Sequence, residues 1–232
     1  MERNLPHGRV GSGYEMMPDF RRFILDNTSL LPCPHVPEIS LHVADEAHEL
    51  WHKTEEELQA DGLQPPFWAF AWAGGQGLAR HVLDHPECVK NKRVLDFATG
   101  SGLVGIAAKM AGAASVLASD IDPFCEEAMA LNAMQNNVSF NFTGTDCLGT
   151  DQGWHVILAG DVFYDRAMSA SLIPWFDALT KRGAIVLVGD PGRSYLPKEN
   201  LIALSEHNVT VTRALEDQDV RKTVVWRWKA SE

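Results

Sequence analysis

Gly100-Ser101-Gly102-Leu103-Val104-Gly105 follows a short apolar run and precedes a helical one, and an acid, Asp120, lies about 20 residues beyond. Glycines at a strand-to-helix turn let the backbone approach a ligand at the helix N-terminus, and an acid ending the next strand takes ribose hydroxyls. The flanking chain suits such a turn. Arg93 to Phe97 reads as a strand, 102–111 as a helix, Ser115 to Ser119 as a second strand, 124–136 as a helix and Val138 to Phe142 as a third strand. Trp154 to Gly160, a helix over 167–181 and Ala184 to Gly189 continue the alternation. Strands this apolar, alternating with helices, predict a parallel sheet covered on both faces. Val209 to Ala214 and Thr223 to Trp228 alternate in polarity around a charged turn, which predicts a closing antiparallel hairpin. The expected fold is therefore α/β: a Rossmann-like, doubly wound, seven-stranded sheet, mostly parallel, with a C-terminal antiparallel hairpin and an N-terminal helical extension.

That extension is expected over 1–64. Residues 1–17 are rich in Gly, Pro and polar groups and read as loose; Phe20, Phe23 and Ile24 predict a short helix over Asp19 to Asp26. Prolines at 32, 34 and 37 then break the chain, and Val43, Ala47, Leu50, Trp51 and Leu58 predict a second helix up to Asp61-Gly62. Residues 65–232 form the second predicted unit. It opens with the aromatic run Phe67-Trp68-Ala69-Phe70-Ala71-Trp72, then Gly74-Gly75 and a helix from Gln76 to Leu83.

A GxGxxG loop alone serves a dinucleotide as well as any other nucleotide, and a nicotinamide-linked oxidoreductase uses the same parts. The surroundings discriminate. An acid, Asp96, sits inside Val94-Leu95-Asp96-Phe97-Ala98-Thr99-Gly100-Ser101-Gly102. This resembles the first motif of class I methyltransferases, with one departure, Ala98 in place of the first glycine. The resemblance implies S-adenosyl-L-methionine as cofactor and S-adenosyl-L-homocysteine as product. It places Asp96, Ala98, Gly100 and Gly102 at the methionine end, Asp120 and Ile121 at the ribose, and Asp146-Cys147 at the adenine.

Three further blocks narrow the likeness. Pro66 to Gln76, Gly160-Asp161-Val162-Phe163-Tyr164-Asp165 and Gly189-Asp190-Pro191-Gly192-Arg193 resemble the family-16 methyltransferases. Within them they are similar to the electron transfer flavoprotein beta-subunit lysine methyltransferases, from about Ile39 to Trp226. The resemblance implies a protein substrate with an exposed lysine, the flavoprotein beta subunit. Asp161, Tyr164 and Trp68 would then sit at the acceptor and Trp72 against the cofactor. An acceptor that is a small amine or pyridine nitrogen, as in nicotinamide-type N-methyltransferases, remains the alternative. A cofactor-binding protein without activity is disfavoured by Asp161 and Tyr164.

Other features set bounds. A net charge of -11 argues against a general nucleic-acid binder, which needs a basic stripe, and suits a basic partner surface. Cys33, Cys88, Cys125 and Cys147 are scattered without a CxxC pair, which predicts free thiols in a reducing compartment. No apolar run reaches membrane-span length and no signal-peptide pattern opens the chain, so a cytoplasmic protein without a membrane partner is expected. His48-Glu49-Leu50-Trp51-His52 matches HExxH. No third ligand follows it and its neighbours are charged, so no metal is expected.

Overall fold

The structure is a computed structural model and describes residues 19–44, 65–211 and 220–229. The predicted helix after Val43 and the HExxH stretch lie outside these residues. The expected sheet is present. It contains β3 (Arg93–Phe97), β4 (Ser115–Ser119), β5 (Asn141–Thr143), β6 (Val156–Gly160), β7 (Ile185–Asp190), β8 (Leu201–Thr210) and β9 (Val220–Trp228). Their order is β5-β4-β3-β6-β7-β9-β8, with β9 antiparallel to both β7 and β8 and the rest parallel. The order reverses between β3 and β6, and in such sheets the crevice beyond the strands' C-terminal ends at that reversal takes the ligand.

Strand β8 begins at Leu201, earlier than the apolar alternation suggests, because most of its side chains are exposed on the sheet's outer strand. Strand β5 is only three residues long, Asn141–Thr143, and Val138 and Phe140 pack against the core ahead of it. Among the described residues, four helices alternate with or precede these strands in the chain: α2 (Ala73–Asp84), α3 (Leu103–Met110), α4 (Phe124–Gln135) and α5 (Arg166–Lys181). One apolar cluster lies under α2 and α3, a second joins Trp175 and Phe176 of α5 to Phe163 and Trp228, and a third joins Ile24, Trp68 and Phe70 to α4.

Upstream, α1 (Phe20–Asn27) is where Phe20, Phe23 and Ile24 predict it, but the proline-rich stretch does not break the chain. It forms a hairpin, β1 (Ser29–Cys33) and β2 (Val36–Val43), with Pro32 opposite Ser40. In a two-stranded ribbon each strand has one unpaired side, so a proline need not remove a ladder bond. Cys33, Val36, Ile39 and Leu41 are buried in the core under α2 and α3. Asn132 of α4 and Asn136, which caps its C-terminus, pin the hairpin. Asn136 exchanges hydrogen bonds with the Ser40 backbone (2.9 and 2.7 Å), and Asn132 accepts from the His42 N–H at 2.7 Å.

A second tie is a chain of imidazoles. His35 Nε2 lies 3.2 Å from His207 Nδ1, His207 Nε2 lies 2.9 Å from Ser205 Oγ, and Ser205 Oγ lies 2.9 Å from His81 Nδ1. Burial is the leading cause that holds all three rings toward the neutral form, and it pushes His81 down to about 4 from 6.5. The folded protein therefore binds fewer protons at His81 than the unfolded chain between those values. The stabilisation is complete above 6.5 and is lost as pH falls toward 4. Asp96, Asp122 and Asp190 shift in the opposite sense, so a difference measurement isolates the imidazole. The gap in urea midpoint between wild type and His81→Gln is expected to narrow as pH falls through that window; a constant gap would contradict the assignment.

Candidate active site

The first turn of α2 lies directly on the ends of β6 and β7, and three glycines make this possible. A Cβ built on Gly160 would fall 2.8 Å from Gly75 Cα, one on Gly74 2.8 Å from Asp161 Cβ, and one on Gly189 against the Gly74 carbonyl oxygen. Helix α2 thereby brings its N-terminal N–H groups, with the positive end of its dipole, to the residue after β6. That residue is Asp161. Its Oδ2 accepts from the Gly74 N–H at 3.0 Å, and its backbone is left-handed, with φ 88°. For a non-glycine this is a strained state of a kind that collects at functional sites.

The glycine loop after β3 is built by a different logic. Gly100 and Gly102 have φ of 52° and 84°, and Gly102 caps α3. The Gly100 N–H donates to Asp120 Oδ2 at 2.9 Å, tying the loop to the end of β4. Asn132 donates to the Ser101 carbonyl at 2.8 Å while holding His42, so one buried amide joins loop, α4 and hairpin. Asp96 accepts from Thr99 Oγ1 and from the Gly105 N–H. Burial nevertheless pushes its carboxyl up to about 7. Asp122 is raised to about 6, also by burial.

Ala98, the departure from the glycine pattern, sits at φ 52°. Holding an L-residue there costs about 1–2 kcal/mol, partly offset by the greater unfolded-state entropy of glycine. Ala98→Gly is therefore expected to stabilise the fold by about 1 kcal/mol or less, raising Tm by about 2–4 °C per kcal/mol at this size. A lowered Tm in calorimetry would contradict this.

Between loop and helix lies a cavity of about 350 Å³, within the range of small-molecule sites. Of the predicted residues it is lined by Trp72, Asp96, Ala98, Gly100, Asp120, Ile121, Asp161 and Tyr164. Gly102 packs on Met129 and shapes the loop from behind. Three others are elsewhere. Trp68 is 1% exposed and stacks on Phe124 at 5.4 Å, because the 3-10 turn over Phe67–Ala69 aims it inward. Phe67, its neighbour, reaches the cavity instead. Asp146 is exposed and accepts from the Leu148 N–H in a tight turn, while Cys147 points into the core cluster around α5.

The lining also contains residues outside the sequence reading of the site, notably Thr99, Leu103, Met168 and Arg193. Arg193 matters most. Its Nε and Nη2 grip Asp161 Oδ1 and Oδ2, the second at 3.2 Å, and its guanidinium carbon lies 5.9 Å from the Trp72 ring centre. The turn carrying it is set by Asp190, whose Oδ1 accepts from Gly192 N and Arg193 N at 2.6 and 2.7 Å. The motif Gly189 to Arg193 announces a sharp turn; nothing local says which distant carboxylate it meets. Tyr164 is half exposed, its ring 5.7 Å from Phe67. Burial, followed by Asp120, Asp165 and Asp161, pushes its hydroxyl pKa up, which keeps it protonated.

This lining suits S-adenosylmethionine. Asp96, Asp120 and Asp122 line the cavity and would face the sulfonium and ammonium of that ligand; a cation beside Asp96 would draw its carboxyl back to the charged form. Apolar walls from Phe67, Phe70, Leu103, Val104 and Ile121 suit its adenine.

Comparison with known proteins agrees with the geometry. Residues 81–160 match the family model for ribosomal protein L11 methyltransferase (PrmA). The chain is 36% identical to the electron transfer flavoprotein beta subunit lysine methyltransferase of Xenopus laevis, covering 90% of this chain and 87% of that one. It is 34% identical to the Homo sapiens protein of the same name, covering 93% and 84%. In fold it is similar to a crystal structure of a Thermoplasma acidophilum protein (TM-score 0.54, 17% identity, 79% of this chain and 98% of that one).

Proposed function

The chain belongs to the family of electron transfer flavoprotein beta subunit lysine methyltransferases and is an S-adenosylmethionine-dependent protein-lysine methyltransferase, and from that premise we propose that its substrate is the flavoprotein beta subunit and that Asp161 and Tyr164 receive the lysine. The single observation that carries the site assignment is Asp161. It is an 8% exposed carboxylate in a left-handed backbone, hydrogen-bonded by a helix N-terminus and facing the cavity.

Bound S-adenosylmethionine supplies an electrophilic methyl group on its sulfonium. The chain's own task is to align an amine with that methyl, and positioning of this kind supplies a large share of the rate of an in-line displacement. Asp120, which follows β4 and accepts from the Gly100 N–H, would hold the ribose hydroxyls, with Ile121 against the adenosine and Trp72 and Ala98 lining the methionine end. Asp161 accepts an amine N–H and so turns the nitrogen lone pair toward the methyl group. Tyr164, at the mouth, offers its hydroxyl to the same nitrogen. Phe67 and Trp72 supply aromatic faces to a cation in transit.

Residues 65–232 form the methyltransferase domain in this proposal and 1–64 its extension. No helix among the described residues is long and apolar enough to cross a membrane. The four cysteines are free, which favours a reducing setting such as the cytoplasm. The negative net charge favours a protein partner over a nucleic acid.

Incubation with radiolabelled S-adenosylmethionine and a lysate of the source organism tests the acceptor. One labelled protein of the flavoprotein subunit's size is the expected result. Label in small molecules alone would assign the chain to the small-amine class and overturn the proposal.

A further inference from the structure

We infer that Arg193 is a positioning residue for the acceptor: by forking both oxygens of Asp161 it cancels the carboxylate's charge, so that the site receives the lysine as a neutral amine. This rests on Asp161 being the lysine's seat, as proposed above.

An ionised carboxylate has about four lone-pair positions. In Asp161 three are used: Oδ1 by Arg193 Nε, and Oδ2 by Arg193 Nη2 and the Gly74 N–H. One position on Oδ1 is left for an incoming N–H. The guanidinium is not loosely placed. Its side chain is 21% exposed against 4% for Asp161, its backbone N–H is fixed by Asp190, and its plane lies by Trp72. It carries its charge at any working pH.

The chemistry gives this pairing a purpose. Attack on the methyl carbon needs the nitrogen lone pair, yet a free lysine amine has a pKa of ~10.4. A bare carboxylate within hydrogen-bond reach raises it by about 1–3 units more, holding the ammonium form. With the guanidinium forked on both oxygens the pair carries no net charge, so Asp161 no longer holds an arriving lysine in its ammonium form. The lysine therefore gives its proton to water on entry and binds as an amine, donating one N–H to Oδ1. The N–C bond then forms as the C–S bond breaks, with the electron pair leaving on sulfur. The product methylammonium loses its extra proton to water.

Other titratable groups face this pair. Asp190 accepts from the Arg193 backbone N–H, and burial pushes its carboxyl up to about 6. Tyr164, Asp165, Asp120 and Asp122 line or adjoin the mouth, and Asp96, at about 7, lies deeper in the cavity. All are common to wild type and an Arg193 variant, so a difference between their pH profiles reports the pair.

The test is kcat against pH for wild type, Arg193→Gln and Arg193→Lys, with purified flavoprotein beta subunit as acceptor. The limb of kcat that rises with pH reports the bound amine. In Arg193→Gln it is expected to move up by about one unit or more. The deficit would then be at least about tenfold near neutrality and shrink as pH rises. Arg193→Lys restores the charge and is expected to return most of the limb. A deficit equal at every pH, or an unmoved limb, would overturn the inference. Wild type gives a second reading, independent of whether the variants fold. A ¹³C-methylated lysine peptide bound with S-adenosylhomocysteine should titrate below its free value by NMR; titration at or above that value overturns the inference. Failure of the functional reading looks different: wild type would then transfer no methyl group to protein lysine at any pH.

Discussion

Asp161→Ala is expected to lower kcat/KM for the protein substrate by about a thousandfold or more, the scale on which active sites lose preorganised polar groups. Affinity for S-adenosylhomocysteine should change by less than about threefold, since the cofactor is assigned to the loop and Asp120 rather than to this carboxylate. The substitution removes the acceptor's seat and the carboxylate oxygens that the Gly74 N–H and Arg193 Nε donate to. A buried N–H that loses its acceptor is itself destabilising, so a gentler variant separates charge from fold. Asparagine tolerates the left-handed region and can still accept from Gly74. Asp161→Asn should therefore fold and bind cofactor normally and still lose about a hundredfold or more in rate. Isothermal titration alongside steady-state kinetics checks both halves. Activity within tenfold of wild type in Asp161→Asn would remove the carboxylate from the mechanism.

The largest stability effect is expected at Gly189. A methyl group there would fall against the Gly74 carbonyl oxygen and 2.8 Å from Leu78 Cβ. The first obstacle is backbone, so rotamer changes cannot relieve it. Either α2 lifts from the ends of β6 and β7, or the strand shifts. Overpacking of this kind sits in the exceptional tail of point mutations, at about 4 kcal/mol or more. At this chain length that corresponds to a loss of about 10 °C or more in Tm. Gly75→Ala is the control. Its Cβ would meet side chains of Leu103 and Val104 at 3.9 Å, ordinary contact, and alanine favours a helix by about 1 kcal/mol over glycine. Gly75→Ala should leave Tm close to wild type. Similar melting of the two variants would show that α2 is not held on the strand ends by glycine contact.

What sequence could and could not show follows from the range of each interaction. Asp96, Gly100 and Asp120 are legible because the strand–loop–helix unit is local and its periodicity changes at a glycine. The closing strands are legible by alternation, although the polar, exposed start of β8 hides its true beginning. The proline-rich hairpin is hidden for the opposite reason: prolines argue against strands unless the ribbon has free sides. Trp68 and Phe67 cannot be told apart by composition, since one 3-10 turn decides which of them faces the cavity. Asp146 and Cys147 follow β5, but the turn that Asp146 makes with Leu148 carries them away from the cavity. The block ending at Arg193 stands out in the sequence, but its target does not, nor does that of Asn132, because their partners Asp161 and Ser101 lie 32 and 31 residues away and only the folded sheet brings them together.

The most direct measurement is peptide mass spectrometry of purified flavoprotein beta subunit after incubation with S-adenosylmethionine and either wild-type protein or Asp161→Asn. Methyl groups on one or a few lysines with wild type, and none above background with the variant, are the predicted result. Methylation that persists with Asp161→Asn would contradict the account of the site, and an unmodified subunit after wild-type treatment would contradict the proposed substrate.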